Sequence, residues 1–531
     1  MQYTAQCTIF LLRRFLIVSR IKVELIDTLK ESVTKVVQQS SSLKNCKYAD
    51  IRLGIHEKKY AHSEDGKSKG MGEDDSISFG IRVLAGEMSA WGYYGQSIGK
   101  GESNSKSIHK VLTLGIKKAY ARAVANANQK AEFKSLAPSL TAVNLARIDP
   151  CNDTVNAIFD EDTRNVSLKE ILTLCTKISG DMRGVSKNVQ YAYIDVQTGI
   201  NRELFCNTEG ACIDQSYMLT QGMAAVVAQK PGGIPEVCYD YMGDLRGWEV
   251  LKGKNVYKQS FGDFALLRTR ETLELTESAF LPATKEPVVV VTNPHFNALL
   301  VHEIVGHPTE ADRVLKLETA YAGRSWLFKD FQDNELGKQI ASPLLTAYSD
   351  PSIPGYGHYK YDMEGTPGKR VNLIENGILK NFMNGREYAA ILNHPPNGSM
   401  RATEPHSVPI VRMTNTVFAN GDKPIEEIIS EVNDGYYVVN HRIPSISESR
   451  ENFRISAQKV FKIENGKITK LFRQGGITAD SKDFLMNIDA VGNDFEVFPI
   501  PNCGKGQPMQ VMRVGNGGPT LRSRARLTGH Q

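Results

Sequence analysis

The stretch Val288–Pro308, VVVVTNPHFNALLVHEIVGHP, decides how the chain is read. Its four valines form a run that suits a buried strand. Asn293 then stands where a helix N-cap belongs, and Pro294 where the first helical residue belongs. Phe296, Leu299, Leu300 and Ile304 keep the three- and four-residue spacing of one helical face. A helix packed on a strand follows, with His302 and Glu303 about two turns in. His302 and His307 flank Glu303, and imidazole is a common metal ligand. A carboxylate beside the first ligand can act as general base to a metal-activated water.

The histidines are five residues apart, not the four that place both on one face of a helix. Five residues of an ideal α-helix turn roughly 500°, leaving the rings about 140° apart. Both can reach one metal only if the helix is widened into a π-bulge or bends near Gly306. Pro308 indicates that the helix is disturbed or ending there.

A catalytic zinc takes three protein ligands and keeps one position open. By residue type the third is open among Glu310, Asp312, His358, His406 and Cys503. Cys503 lies in the Pro- and Gly-rich turn PIPNCGKGQ, residues 499–507, which suits a ligand presented on a loop and held as thiolate.

The motif HEIVGH at 302–307 resembles the HExxxH motif of the TldD/PmbA metallopeptidases, called modulators of DNA gyrase. The resemblance continues through DMEGTPG at 362–368, LIENGIL at 373–379, RMTNT at 412–416, AVGND at 490–494 and CGKGQ at 503–507. It covers the chain from about residue 285 to the end, and more weakly runs from Tyr48-Ala49-Asp50 through Gly80-Ile81-Arg82-Val83. It implies that His302, His307 and Cys503 bind one Zn2+ per chain and that Glu303 is the catalytic base. Because the motif is complete, the chain resembles the active, TldD-like branch. The resemblance also implies a dimer, with a catalytically silent TldE/PmbA-like paralogue as mate, and a peptide threaded into an enclosed space. Nothing in this chain separates a heterodimer from a homodimer.

The composition suits a large globular enzyme of two or three domains. A formal net charge of +5 over 531 residues makes no case for direct nucleic-acid or membrane binding. The eight cysteines include no CxxC pair; Cys206 and Cys212 are the nearest two, and a reducing cytoplasm is the expected setting. Residues 8–18 are apolar but too short to span a bilayer, and Arg13-Arg14 interrupts them. Residues 1–21 read as an extension outside the fold.

The fold class expected is α+β. Residues 22–134 form an N-terminal α+β domain: a helix at 23–38, a strand at 49–53, a charged Gly-rich loop at 64–75, a strand–turn–strand unit at 76–94 and a long helix at 105–133. Residues 135–284 form a middle α+β domain with helices at 167–179 and 261–278. Its strands lie at 189–196, 202–207 and 212–220, with an irregular stretch at 241–252. Residues 285–531 form a strand-rich C-terminal domain carrying the metal helix and a short helix at 425–432. Two hairpins there turn at Asn376-Gly377 and Asn465-Gly466, because type I′ turns need positive φ.

The function expected is a zinc metallopeptidase hydrolysing unfolded or short peptides. The rival is a non-catalytic, zinc-stabilised subunit that binds peptides or regulates a paralogous partner. His406, His358 and Tyr359 have the right chemistry to stabilise an oxyanion, but packing roles suit them better.

Overall fold

The computed structural model describes residues 21–99, 103–134, 136, 141–318 and 323–529. The expected extension at 1–21 lies outside these residues except for Ile21, which is buried and donates its N–H to Asp75. The fold is α+β with a strand-rich C-terminal part.

The first sheet contains β1 (Cys46–Glu64), β2 (Lys67–Ala85), β3 (Ala90–Ile98), β4 (Asn152–Val155), β5 (Val189–Asn207), β6 (Cys212–Ala228) and β7 (Glu236–Asp244). Their order is β3-β2-β1-β5-β6, with β4 and β7 both paired to β6. Helices α1 (Leu25–Gln39) and α2 (Ser105–Phe133) cover one end, where Leu29, Val33, Leu112 and Ile116 pack on Ile51 and Ile81. Helices α3 (Leu168–Gly184) and α4 (Phe261–Glu277) cover the other end. A capping box between Ser167 and Glu170 starts α3, and Asn104 caps α2.

Three expectations are corrected here. A boundary near 134/135 would cut this sheet, because β1 pairs with β5 from Asp50↔Asn207 to Glu64↔Tyr193. Residues 64–75 are no loop: the chain turns only at Asp65-Gly66, both at positive φ (48° and 77°), and continues into β2. The outer half of this hairpin has a solvated face, so its charge content reads as a loop. The stretch 241–252 is also ordered, ending β7 and then forming a 3-10 turn at Trp248–Lys252.

In the C-terminal part, β8 (Val288–Thr292) runs parallel to β10 (Asp434–Ile446) and antiparallel to β14 (Leu521–Thr528). Pairing of β10 with β11 (Asn452–Glu464) closes a ring through Gly475–Asp480. A second, six-stranded sheet runs from Ile378–Leu379 through β9 (Asn415–Phe418) and β13 (Gln510–Gly518) to β12 (Glu496–Lys505) at its edge. Both Asn-Gly hairpins are present, with Asn376 and Gly377 at φ 47° and 81° and Asn465 and Gly466 at 48° and 73°. Helix α5 (Pro294–Val301) packs between the two sheets, against β10, β12 and β13. Among the described residues no helix is long and apolar enough to cross a membrane.

Candidate metal centre

The Asn293 side chain accepts the Phe296 N–H at 2.9 Å, Pro294 occupies the first turn, and every residue of α5 is buried. Past Val301 the helix widens. Residues His302–Gly306 form a π-turn in which the His307 N–H donates to the His302 carbonyl, five residues back. That hydrogen bond places residues i and i+5 on one face. The two imidazole centroids are 4.7 Å apart, edge to face at 86°. The turn then tightens to a 3-10 turn, His307–Thr309, where the Thr309 hydroxyl donates to the Val305 and Gly306 carbonyls. Pro308, having no N–H, requires no partner there.

Gly306 does not serve as a hinge. Its φ and ψ of −58° and −63° suit any residue. Glycine is needed for space, since a Cβ would lie 2.0 Å from the Met413 sulfur.

Cys503 arrives from the far end of the chain on the edge strand β12. A register shift between Ile500 and Cys503 re-aims the strand. Its Sγ lies 3.7 Å from His307 Nε2. One ligand atom from each of His302, His307 and Cys503 lies within 4.8 Å of the others, and all three residues are buried. Of the five candidates for a third ligand, the structure brings Cys503 to the histidines.

The others serve elsewhere. Glu310 Oε2 takes His307 Nδ1 at 3.1 Å, Arg313 Nε at 2.7 Å and Lys505 Nζ at 3.1 Å. Asp312 binds Lys505 at 2.6 and 2.8 Å. His358 and Tyr359 line a different cleft, with His56, Glu203 and Tyr217. The His406 carbonyl accepts the Tyr93 hydroxyl.

Each histidine has its Nδ1 engaged, which turns Nε2 toward the cluster. His302 Nδ1 lies 2.9 Å from Asn516 Oδ1. Asn516 Nδ2 donates to the Thr416 carbonyl at 2.9 Å, so its oxygen is the atom that faces His302. His302 therefore donates from Nδ1 and keeps a lone pair on Nε2; Glu310 imposes the same arrangement on His307. Burial opposes charge on His302, but the Cys503 sulfur beside it raises its pKa to about 9. Burial likewise opposes a Cys503 thiolate, and His302, Arg412 and His307 together hold its pKa well below the usual thiol range. A metal cation would compete with the proton for this donor set.

Glu303 is buried and accepts a hydrogen bond from Arg450 Nη1. Arg450 sits at φ 67° in the turn between β10 and β11, and Ser481 donates to its carbonyl at 2.7 Å. These groups open onto a cleft of about 430 Å³, walled by Tyr239 and Tyr241 of β7, His441 of β10 and Pro501 of β12. The RMTNT stretch supports the cluster: Arg412 donates to the Cys503 carbonyl, Met413 packs on Gly306, and Thr416 anchors Asn516. In DMEGTPG, Asp362 accepts the backbone N–H groups of Glu364, Thr366 and Met400, and Glu364 pairs with Arg82 of β2. That motif braces the first sheet against the C-terminal part. Sequence reasoning missed Arg450 and Asn516, which no local pattern marks, and assigned Glu310 only as a ligand candidate.

Residues 285–528 match the family model of the PmbA/TldA metallopeptidase C-terminal domain. The chain is 29% identical over 484 residues to a metalloprotease of Methanocaldococcus jannaschii, covering 91% of this chain and 97% of that one. It is 31% identical over 235 residues to a zinc metalloprotease TldD homolog of Saccharolobus solfataricus, covering 44% and 49%. Among solved structures, TldE from Thermococcus kodakarensis superposes with a TM-score of 0.69 at 16% identity, over 94% of this chain and 100% of that one. A Thermotoga maritima protein described as a modulator of a DNA gyrase gives 0.70 at 16%, over 95% and 100%. At that identity the likeness is one of fold.

Proposed function

We propose that the chain is a zinc-dependent metallopeptidase of the TldD/PmbA family. His302, His307 and Cys503 hold the zinc. The observation that carries this reading is the convergence of three buried donor atoms within 4.8 Å, with both histidine Nδ1 atoms already committed elsewhere. The spacing fits the ion. Zinc–nitrogen and zinc–sulfur bonds of about 2.05 and 2.3 Å at a tetrahedral angle put nitrogen and sulfur about 3.6 Å apart. The His307 Nε2 to Cys503 Sγ distance is 3.7 Å.

Zinc held there supplies Lewis acidity to a water and to the scissile carbonyl. Glu303 takes the proton of the attacking water on its carboxylate and delivers it to the leaving amine nitrogen. Arg450 holds that carboxylate in place. The hydrophobic body of α5 and the wall from β7 and β10 limit water around the peptide bond.

The substrate is an unfolded or short peptide, since a cleft of about 430 Å³ admits an extended segment and no folded domain. The working state is a dimer, with a TldE-like relative as the favoured mate.

Zinc content and cleavage of an unfolded peptide mixture test the reading, wild type against Glu303→Gln. The variant should keep one zinc and lose hydrolysis by about two to four orders of magnitude. Equal activity would reduce Glu303 to a structural residue, and a wild type that holds zinc without hydrolysing peptide would be a non-catalytic, zinc-stabilised subunit.

A further inference from the structure

Cys206 and Cys212 stand directly opposite each other at the end of the β5–β6 hairpin. Their sulfurs are 2.9 Å apart, and the side chains are 0% and 7% exposed. The Cys212 N–H points away from β5 and donates to the Cys151 carbonyl at 2.9 Å. In an antiparallel ladder a residue whose N–H points outward belongs to a non-hydrogen-bonded pair. There the Cα atoms are about 4.5 Å apart and the side chains are closest. That separation falls within the range of about 4.4–6.8 Å that a disulfide spans. Thr34 of α1 lies 3.6 Å from both sulfurs. Neither cysteine touches the metal centre.

We propose that Cys206 and Cys212 form a modification site, closed to a disulfide by hydrogen peroxide and reopened by a dithiol. Cys212 is the attacking sulfur. It is the more exposed of the two, and the Cys206 thiol donates to it and holds its pKa below the usual thiol value. Its thiolate forms an S–O bond as the peroxide O–O bond breaks, and the hydroxide expelled takes up the proton that the Cys212 thiol gave up and leaves as water. The Cys206 sulfur then displaces that oxygen: an S–S bond forms, the S–O bond breaks, and the oxygen departs as a second water carrying the Cys206 proton. Two thiols lose two electrons and the peroxide gains them.

The bond closes the loop that carries Glu209, which receives Arg386 of the C-terminal part in two hydrogen bonds of 2.7 and 2.8 Å. Oxidation therefore stiffens the hairpin tip that docks the first sheet to the metallopeptidase domain.

The test uses the full-length protein. It is treated with equimolar hydrogen peroxide, denatured, alkylated and digested for mass spectrometry. The peptide holding Cys206 and Cys212 should be two hydrogens lighter with both sulfurs unalkylated, and dithiothreitol before alkylation should restore both sites. The Cys503→Ser variant should give the same bond, which keeps the result independent of the proposed zinc site. In Cys206→Ser, Cys212 should be trapped as a sulfenic acid by dimedone. The proposal is overturned if Cys206 and Cys212 stay fully alkylatable while other thiols of the same sample are oxidised. It is equally overturned if either sulfur bonds instead to a third cysteine.

Discussion

Replacing Gly306 by alanine separates two reasons for a glycine inside the motif. If glycine were there only for backbone freedom, Gly306→Ala at helical φ and ψ would gain up to about 1 kcal/mol of helix propensity. The structure argues the opposite sign. The new Cβ would stand 2.0 Å from Met413 Sδ, 3.1 Å from Cγ and 3.3 Å from Cε. Non-bonded heavy atoms rest about 3.5–4.0 Å apart, so the sulfur must retreat by about 1.5 Å. Met413 is fully buried within the C-terminal core, and overpacking of that kind costs about 1–3 kcal/mol. The clash also falls on the π-turn that brings the two imidazoles together, so zinc occupancy should fall with stability. Met413→Ala alone opens a cavity and costs about 2–5 kcal/mol. In the double variant the added methyl enters that cavity, and the combined cost should fall short of the sum by at least about 1 kcal/mol. Denaturant unfolding of the four proteins, with metal content measured on each, completes the cycle. Additive costs together with a neutral or stabilised Gly306→Ala would refute the packing argument.

Asn516→Ala removes the acceptor that fixes the His302 ring, so zinc should bind about 10–100-fold more weakly in competition with a chromogenic chelator. Asn516→Asp, which keeps the acceptor, should bind within a few-fold of wild type; equal loss in both variants would contradict an orienting role. Burial, then the charge of Glu404, raises the Glu203 pKa to about 7 from its ordinary 4.5. The native state thus binds this proton more tightly than the unfolded chain. Its contribution is favourable below about pH 4.5 and is lost as pH rises toward 7. Melting temperatures of wild type should fall relative to Glu203→Gln across that window, and parallel profiles would show that Glu203 titrates normally.

The metal helix was legible because each of its signals had one physical reading. Asn293 and Pro294 start it, and the five-residue histidine spacing demands a π-turn if both rings are to serve one ion. Gly306 suggests backbone freedom in the sequence, but its constraint comes from Met413, more than a hundred residues away. The third ligand could not be chosen from residue type. Glu310 and Asp312 are near in sequence, yet their charges are consumed by Arg313 and Lys505. Arg450 and Asn516 belong to a turn and a strand with no motif of their own, so only the folded sheets reveal them. The β1–β2 hairpin was half read. Alternation shows in its buried half, but around the Asp65-Gly66 turn polar residues on both faces hide a strand's period and give the composition of a loop. The same strand then joins β5, which is why a boundary drawn on helix α2 and its connector divides a single sheet.

The charges around the candidate metal centre explain how distant parts of the chain keep it in register. Lys505, Glu310, Asp312 and Arg313 are all at most 1% exposed. Buried ion networks of this kind are weak contributors to net stability, because desolvation offsets most of their attraction. Their geometry is more telling than their energy. Lys505 lies two residues beyond Cys503 and binds Asp312, Glu310 and the Val411 carbonyl. Glu310 in turn holds His307, and Arg412, next to Val411, holds the carbonyl of Cys503. One ammonium group therefore ties the cysteine strand, the histidine turn and the segment at Val411 together through protein contacts alone. Replacing it by an apolar side chain would leave the buried Asp312 carboxylate without its paired cation and Glu310, the acceptor that orients His307, held by Arg313 alone. The geometry of the three candidate ligands is accordingly a property of the folded chain, and residues after the second histidine that are not among them set it.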